Sequence, residues 1–82
     1  PRVCGSSDTS VSDAIAKAQA ADLLLLDWGA YTQAWDHVEM FTGDSKDETL
    51  SHGGPGNGPN LFTASGEMSM ASRWEIRRYI TD

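Results

Sequence analysis

Cysteine is almost absent from this 82-residue chain, which has only Cys4. A single cysteine cannot form an internal disulfide, which excludes the small secreted scaffolds that several disulfides stabilise, and it excludes zinc sites built from paired cysteines. Two interpretations of Cys4 remain. It is either a reduced thiol in a terminal strand, which is favoured because free cysteine is usually buried, or one half of a disulfide to a second chain.

Positive charge is also scarce. Six lysines and arginines stand against twelve aspartates and glutamates, which gives a net charge of −6. Nucleic-acid binding depends on lysine and arginine displacing phosphate counterions, so this class of protein is excluded. Residues 8–48 contain nine of the twelve acids and only Lys17 and Lys46 as basic residues. This segment is either a solvated surface or a surface that attracts a basic protein partner.

Long apolar runs are missing as well. The four leucines at 23–26 are far shorter than the roughly 20 apolar residues of a membrane-spanning helix, so we predict no membrane span. The length indicates one domain, residues 1–82, near the size at which a single core gives marginal stability. The chain begins at Pro1 without a methionine, so we expect a processed product or a fragment.

The first third of the chain has helical spacing. Ser10 precedes Asp13 by three residues, which is typical of a helix N-terminus, and the apolar residues that follow predict a helix over residues 11–21. The sequence PRVCGSS before it has the character of a strand. If residues 23–27 are also a strand, residues 2–27 form a β-α-β unit.

The leucine run decides this point. Four consecutive leucines on a helix would point to several sides, whereas a strand buried on both faces favours such a run. Asp22 and Asp27 bracket the leucines, so we predict a strand over residues 23–27. The alternative keeps two helices and breaks them at Gly29, because leucine is a good helix former.

A second helix is predicted after the leucines. The apolar residues Tyr31, Ala34, Trp35, Val38 and Phe41 recur at the spacing of one helical face, and Gly43 follows as a stop signal.

The C-terminal half begins with a long loop, about residues 43–60, which is rich in glycine and proline. Alternation of Phe62, Ala64, Met68 and Met70 with polar residues predicts a hairpin, and a further strand is predicted over residues 73–80. The alternative there is a short helix, because Ser72 with Glu75 would cap one. The predicted fold is therefore a small two-layer α+β sandwich, with β-α-β-α followed by a C-terminal antiparallel hairpin or meander.

No complete catalytic or cofactor motif is present. The sequence GGPGNG has no lysine to accompany it, so it is not a phosphate-binding loop. His37 and Glu39 have the spacing found in the first half of a zinc deaminase motif, but the paired cysteines of that motif are missing. The acids Asp44, Asp47 and Glu48 lack the ligand spacing of an EF-hand. We therefore predict neither a metal nor a cofactor.

Two groups of residues are candidates for a site. The catalytic candidates are Asp27, at the end of the predicted strand, with His37 and His52, and Asp36 would assist them. The binding candidates are aromatic residues at helical spacing and two residues of the glycine-rich loop. They are Trp28, Tyr31, Trp35, His52 and Asn57.

The leading functional hypothesis is a non-enzymatic protein-interaction module, or a processed subunit of a larger assembly. It is based on the small size, the unpaired Cys4 and the absence of a complete catalytic motif. The first alternative is a secreted toxin or effector, cleaved from a precursor and linked to a second chain. The second alternative is a small hydrolase or hydrolase fragment. The sequence predicts secretion for a cleaved precursor and a cytoplasmic location otherwise.

Overall fold

The computed structural model describes residues 1–29, 34–52 and 58–79. These residues form one antiparallel sheet and two short helices, so the fold is mixed α+β and mostly sheet. In chain order the elements are β1 (Arg2–Gly5), α1 (Val11–Lys17), β2 (Leu23–Asp27), β3 (His37–Phe41), β4 (Glu48–His52), β5 (Pro59–Thr63), α2 (Ala64–Met70) and β6 (Arg73–Arg77).

The order of strands across the sheet differs from their order in the chain. It is β1-β6-β2-β3-β4-β5, and each neighbouring pair is antiparallel. Since β1 and β2 are both antiparallel to β6, they run parallel to each other with the C-terminal strand between them. The predicted β-α-β order is therefore present along the chain, but in the sheet β6 lies between its two strands. Both helices contact each other and cover one face of the sheet.

The leucine run is a strand, as predicted, and its bounds are Leu23–Asp27. It is central, because β6 pairs with one side and β3 with the other. Leu24 and Leu26 are fully buried on the face beneath the helices, whereas Leu23 and Leu25 are only partly buried on the opposite face. Strand alternation therefore explains why four leucines are tolerated here.

The predicted second helix is wrong over residues 37–41, which form β3. Here His37, Glu39 and Phe41 face the helices, while Val38 and Met40 are exposed on the other face. Glu39 is thus buried at a position where an alternating strand usually has an apolar residue. The apolar residues of this segment therefore do not show the period of two that predicts a strand. The order β-α-β-α is not formed, because the described chain continues after β2 with strands.

The C-terminal half also differs from the prediction. Part of the predicted loop is regular structure, since β4 and the first residues of β5 lie within residues 43–60. The predicted hairpin through Met68 and Met70 is wrong, because these residues belong to α2. The last strand is confirmed, with bounds Arg73–Arg77.

The helix α2 was missed because a distant residue caps it. Its N-cap Thr63 makes no side-chain capping bond. Instead, Asp47 in the loop before β4 accepts hydrogen bonds from the backbone and the hydroxyl of Ser65, and its carbonyl accepts one from the Ala64 backbone. A carboxylate at a helix N-terminus satisfies exposed N–H groups there. Since the cap lies 18 residues away, no local pattern shows it.

Asp47→Ala is expected to lower the free energy of unfolding by about 1–2 kcal/mol, the usual cost of losing a capping side chain. Urea unfolding followed by circular dichroism measures this. The matched control is Asp44→Ala, which removes an exposed acid from the same loop and should cost less than about 0.5 kcal/mol. Equal losses in the two variants would show that Asp47 is not the cap.

The core lies between the helices and one face of the sheet. Ala14 comes from α1, Ala18 follows its last residue, and Ala64 and Met68 come from α2; these four pack with apolar residues of the strands. Cys4 belongs to this core as a free thiol, and burial raises its pKa. A disulfide to a second chain would therefore require β1 to open. Among the described residues, neither helix has the length and apolar character of a membrane-spanning segment.

Candidate functional site

The face of the sheet opposite α1 and α2, called the open face here, carries a row of apolar side chains. Register pairs Leu23 with Met40, Met40 with Leu50, and Leu50 with Leu61, so the row crosses β2, β3, β4 and β5. Met40, Leu50 and Leu61 are exposed, Leu61 to 63%. We call Leu23, Met40, Leu50 and Leu61 the apolar row.

The apolar row is extended on one side. Leu25 and the exposed Val38 are paired two residues further along β2 and β3. Neighbouring strands are about 4.8 Å apart, so a row across four strands is roughly 14 Å long. A groove of about 390 Å³ lies along the apolar row. Met40, Leu50, Leu61 and the turn before β2 line it, and Asp44 is at its margin.

The other half of the open face carries arginine and acidic side chains that form ion pairs with one another. Arg73 Nε donates to Asp27 Oδ2 at 2.9 Å, and Glu75 accepts from both Arg77 and Arg2. The pairing with Arg73, and then a hydrogen bond from the Gly29 backbone, lower the pKa of Asp27. Asp27, predicted as a catalytic candidate, is thus engaged as the anion of an ion pair.

The predicted aromatic binding residues lie at one end of β2 and β3. Trp28 is exposed, and its ring centroid is 6.1 Å from that of His37. The guanidinium carbon of Arg73 lies 4.1 Å from the centroid of the Trp35 ring, which is a cation–π geometry. Tyr31 and Asn57 lie outside the described residues.

A buried polar cluster lies on the other face, beneath α2. Thr49 Oγ1 donates to Glu39 Oε1 at 2.6 Å, and His37 Nε2 lies 3.1 Å from Glu39 Oε2. The Ser51 hydroxyl lies 3.2 Å from His37 Nε2 and donates to the Val38 carbonyl at 3.1 Å. Glu67 of α2 completes the group, since its carboxylate lies within 4.8 Å of the ligand atoms of His37 and Glu39.

Glu39 is the most unusual residue of the cluster. Its side chain is 0% exposed, and its Oε2 atom has no hydrogen-bond partner among the described residues. Burial first, and then the neighbouring Glu67, raise the pKa of Glu39 to about 8. A carboxyl group in such surroundings is therefore held close to neutral, unless a cation reaches it.

The cluster does not form a nucleophile relay of the serine-histidine-acid type. In such a relay the hydroxyl and the acid contact opposite nitrogens of the imidazole. Here Ser51 and Glu39 both approach the same nitrogen, His37 Nε2. The structure thus shows a polar cluster in which one buried carboxylate oxygen, Glu39 Oε2, has no hydrogen-bond partner among the described residues.

The catalytic candidates do not share one location. Asp27 belongs to the open face, whereas His37 lies on the face beneath the helices. His52 is exposed at the end of β4, and the Asp36 carboxylate accepts a hydrogen bond from the Trp28 backbone at 2.9 Å.

Sequence reasoning identified His37 and noted its spacing to Glu39, but it missed their neighbours Thr49, Ser51 and Glu67. The spacing of His37 and Glu39 was the only local signal, because the others join them through sheet register and the packing of α2. No family model, curated protein or solved structure matches the chain. Its candidate sites therefore follow from its own contacts, burial and charge.

Proposed function

We propose that this chain is a non-enzymatic protein-interaction module, free or as a subunit of a larger assembly, that binds its partner through the apolar row. The observation that supports this is the direct cross-strand pairing of Leu23, Met40, Leu50 and Leu61 on a face that no described element covers. Contiguous exposed apolar surface of this kind is typical of interaction sites.

The partner we propose is an amphipathic helix of another protein, with lysine or arginine beside its apolar stripe. A helix of about ten residues is roughly 15 Å long, which matches the apolar row. Asp44 borders the groove and can attract a basic flank, and the arginines of the open face are already paired with acids, which weakens their repulsion of it. A second copy of the chain is disfavoured, because each copy carries a net charge of −6.

The test uses a designed peptide helix of fourteen or so residues, with leucines on one face and lysines beside them. We expect it to bind the wild-type protein, with the dissociation constant measured by fluorescence anisotropy. Leu50→Ser should weaken binding at least about tenfold, because it removes an apolar contact from the middle of the row. Raising the salt concentration should also weaken binding, since the flanking attraction is electrostatic.

Two controls make this result specific. Met70→Ser removes a side chain that is 69% exposed on α2, outside the open face, and should leave affinity unchanged. A peptide of the same composition with its leucines scattered around the helix should bind much more weakly. Equal loss in the two protein variants would contradict the proposal. Sedimentation that shows a wild-type dimer, dissociated by Leu50→Ser, would assign the row to a second copy instead.

A further inference from the structure

The buried cluster beneath α2 brings three metal-ligating side chains together. His37 and Glu39 project from β3 toward the helices, and Glu67 reaches them from α2. One ligand atom from each lies within 4.8 Å of the other two. Ligands of a tetrahedral Zn²⁺ are about 3.4 Å apart, so shifts of roughly an ångström in the side chains would close the set around an ion.

An independent observation points to a ligand at this place. Glu39 Oε2 is fully buried and has no hydrogen-bond partner among the described residues, although His37 Nε2 is 3.1 Å away. Buried polar atoms are almost always satisfied, so an unsatisfied carboxylate oxygen requires a physical reason. A cation between Glu39, His37 and Glu67 supplies one.

The Thr49 hydroxyl orients Glu39 as an outer-shell contact would. Thr49 Oγ1 holds Glu39 Oε1 at 2.6 Å, which leaves Oε2 directed toward His37 and Glu67. Such second contacts fix the orientation of ligands in metal sites. The Ser51 hydroxyl donates to the Val38 carbonyl and contacts the same nitrogen of His37 that would bind the ion, so coordination at Nε2 would replace that contact.

We propose that His37, Glu39 and Glu67 bind one divalent transition-metal ion of the Zn²⁺ type. An imidazole nitrogen with two carboxylates suits Zn²⁺ and its first-row neighbours, whereas Ca²⁺ requires more oxygen ligands. Three protein ligands also leave a coordination position for water. This site lies on the opposite face of the sheet from the apolar row, so the inference is independent of the proposed function.

The experiment is a titration of EDTA-treated, dialysed protein with Zn²⁺ in competition with a chromogenic chelator. We expect one Zn²⁺ per chain. Glu67→Gln and His37→Gln should each weaken binding at least about tenfold, and Thr49→Val should weaken it about 10- to 100-fold, as loss of an outer-shell contact does. Nitrogen-15 spectra of the imidazoles should show Zn²⁺ coordinated to Nε2 of His37 and not to His52.

Matched controls separate this site from nonspecific binding at the surface. Asp44→Asn removes the same charge as Glu67→Gln from an exposed position, and His52→Gln removes the other histidine. Neither should change the affinity. The proposal is wrong if wild-type protein binds no Zn²⁺ or if the controls lose as much affinity as the ligand variants. It is equally wrong if folded Glu67→Gln and His37→Gln, verified by circular dichroism, bind like wild type, in which case Glu39 and Glu67 only share a proton.

Discussion

Glu39→Gln is expected to raise the free energy of unfolding by roughly 2–4 kcal/mol at pH 8 in the presence of EDTA. The wild-type protein must keep a fully buried carboxyl group near Glu67, and it does so by holding the proton of Glu39, with a pKa of about 8. Glutamine has the same shape and no charge to desolvate. Its oxygen can accept from Thr49, and its amide can donate to the Glu67 carboxylate.

The raised pKa of Glu39 also sets how the stability of the wild-type protein changes with pH. Below the ordinary glutamate pKa of 4.5, Glu39 is protonated in both the folded and unfolded states and imposes no penalty. As pH rises toward about 8, only the unfolded state releases the proton, so wild-type stability falls. The carboxylates with lowered pKa act in the opposite direction at lower pH, and the two proteins share them.

Urea unfolding of both proteins between pH 5 and pH 8.5 measures the difference. We expect the stability gained by Glu39→Gln to grow steadily with pH. A constant difference across this range, or a less stable variant at pH 8, would contradict the burial and ionisation that we assign to Glu39.

Arg78→Met is expected to lower the free energy of unfolding by about 3–5 kcal/mol, the cost of leaving a buried charge without its partner. Asp22 is 1% exposed and accepts hydrogen bonds from Arg78 Nε and Nη2, both at 2.8 Å. Burial alone would raise the pKa of Asp22, but the bonds from Arg78 and from the Gln19 backbone bring it below its ordinary value. This pair joins the chain after β6 to the turn before β2.

Arg77→Met is the matched control, since Arg77 is exposed and its partner Glu75 is also held by Arg2. Exposed pairs contribute little, so this variant should cost less than about 1 kcal/mol. The double change Arg78→Met with Asp22→Asn should recover much of the loss, because the unpaired charge is then gone. Equal costs for the two arginine variants in urea unfolding would show that burial of Asp22 does not matter.

Local signals in the sequence were sufficient where burial followed the usual pattern. Ser10 caps α1 through the Asp13 backbone, as predicted, and the leucines form the central strand. The helix is shorter than expected, ending at Lys17, because the chain turns before β2. Here the residues that set the structure are neighbours in the sequence.

Prediction failed where the residues that decide the structure are far apart. The strand β3 buries Glu39 and exposes Met40, the reverse of the ordinary pattern, because Glu39 belongs to a polar cluster whose other members come from β4 and α2. The helix α2 depends on Asp47, and the C-terminal strand separates β1 from β2. The spacing of apolar residues within one segment cannot predict any of these contacts.

The candidate sites were only partly visible for the same reason. His37 was identified, but Glu67 joins it through a helix that was predicted as a hairpin. The apolar row depends on the register of four strands, and Leu50 lies in a segment predicted as a loop. Its residues are unremarkable one by one, and they form a surface only when the sheet aligns them.

Methyl spectra of the protein during titration with the leucine-lysine peptide test the proposed binding face most directly. With leucine and methionine methyl groups labelled with carbon-13, we expect the resonances of Leu23, Met40, Leu50 and Leu61 to shift with the peptide. Those of Leu24, Leu26 and Met68, which are buried between the helices and the sheet, should stay within a small fraction of that change. Shifts centred on α1 and α2, or no shifts at saturating peptide, would contradict binding through the open face.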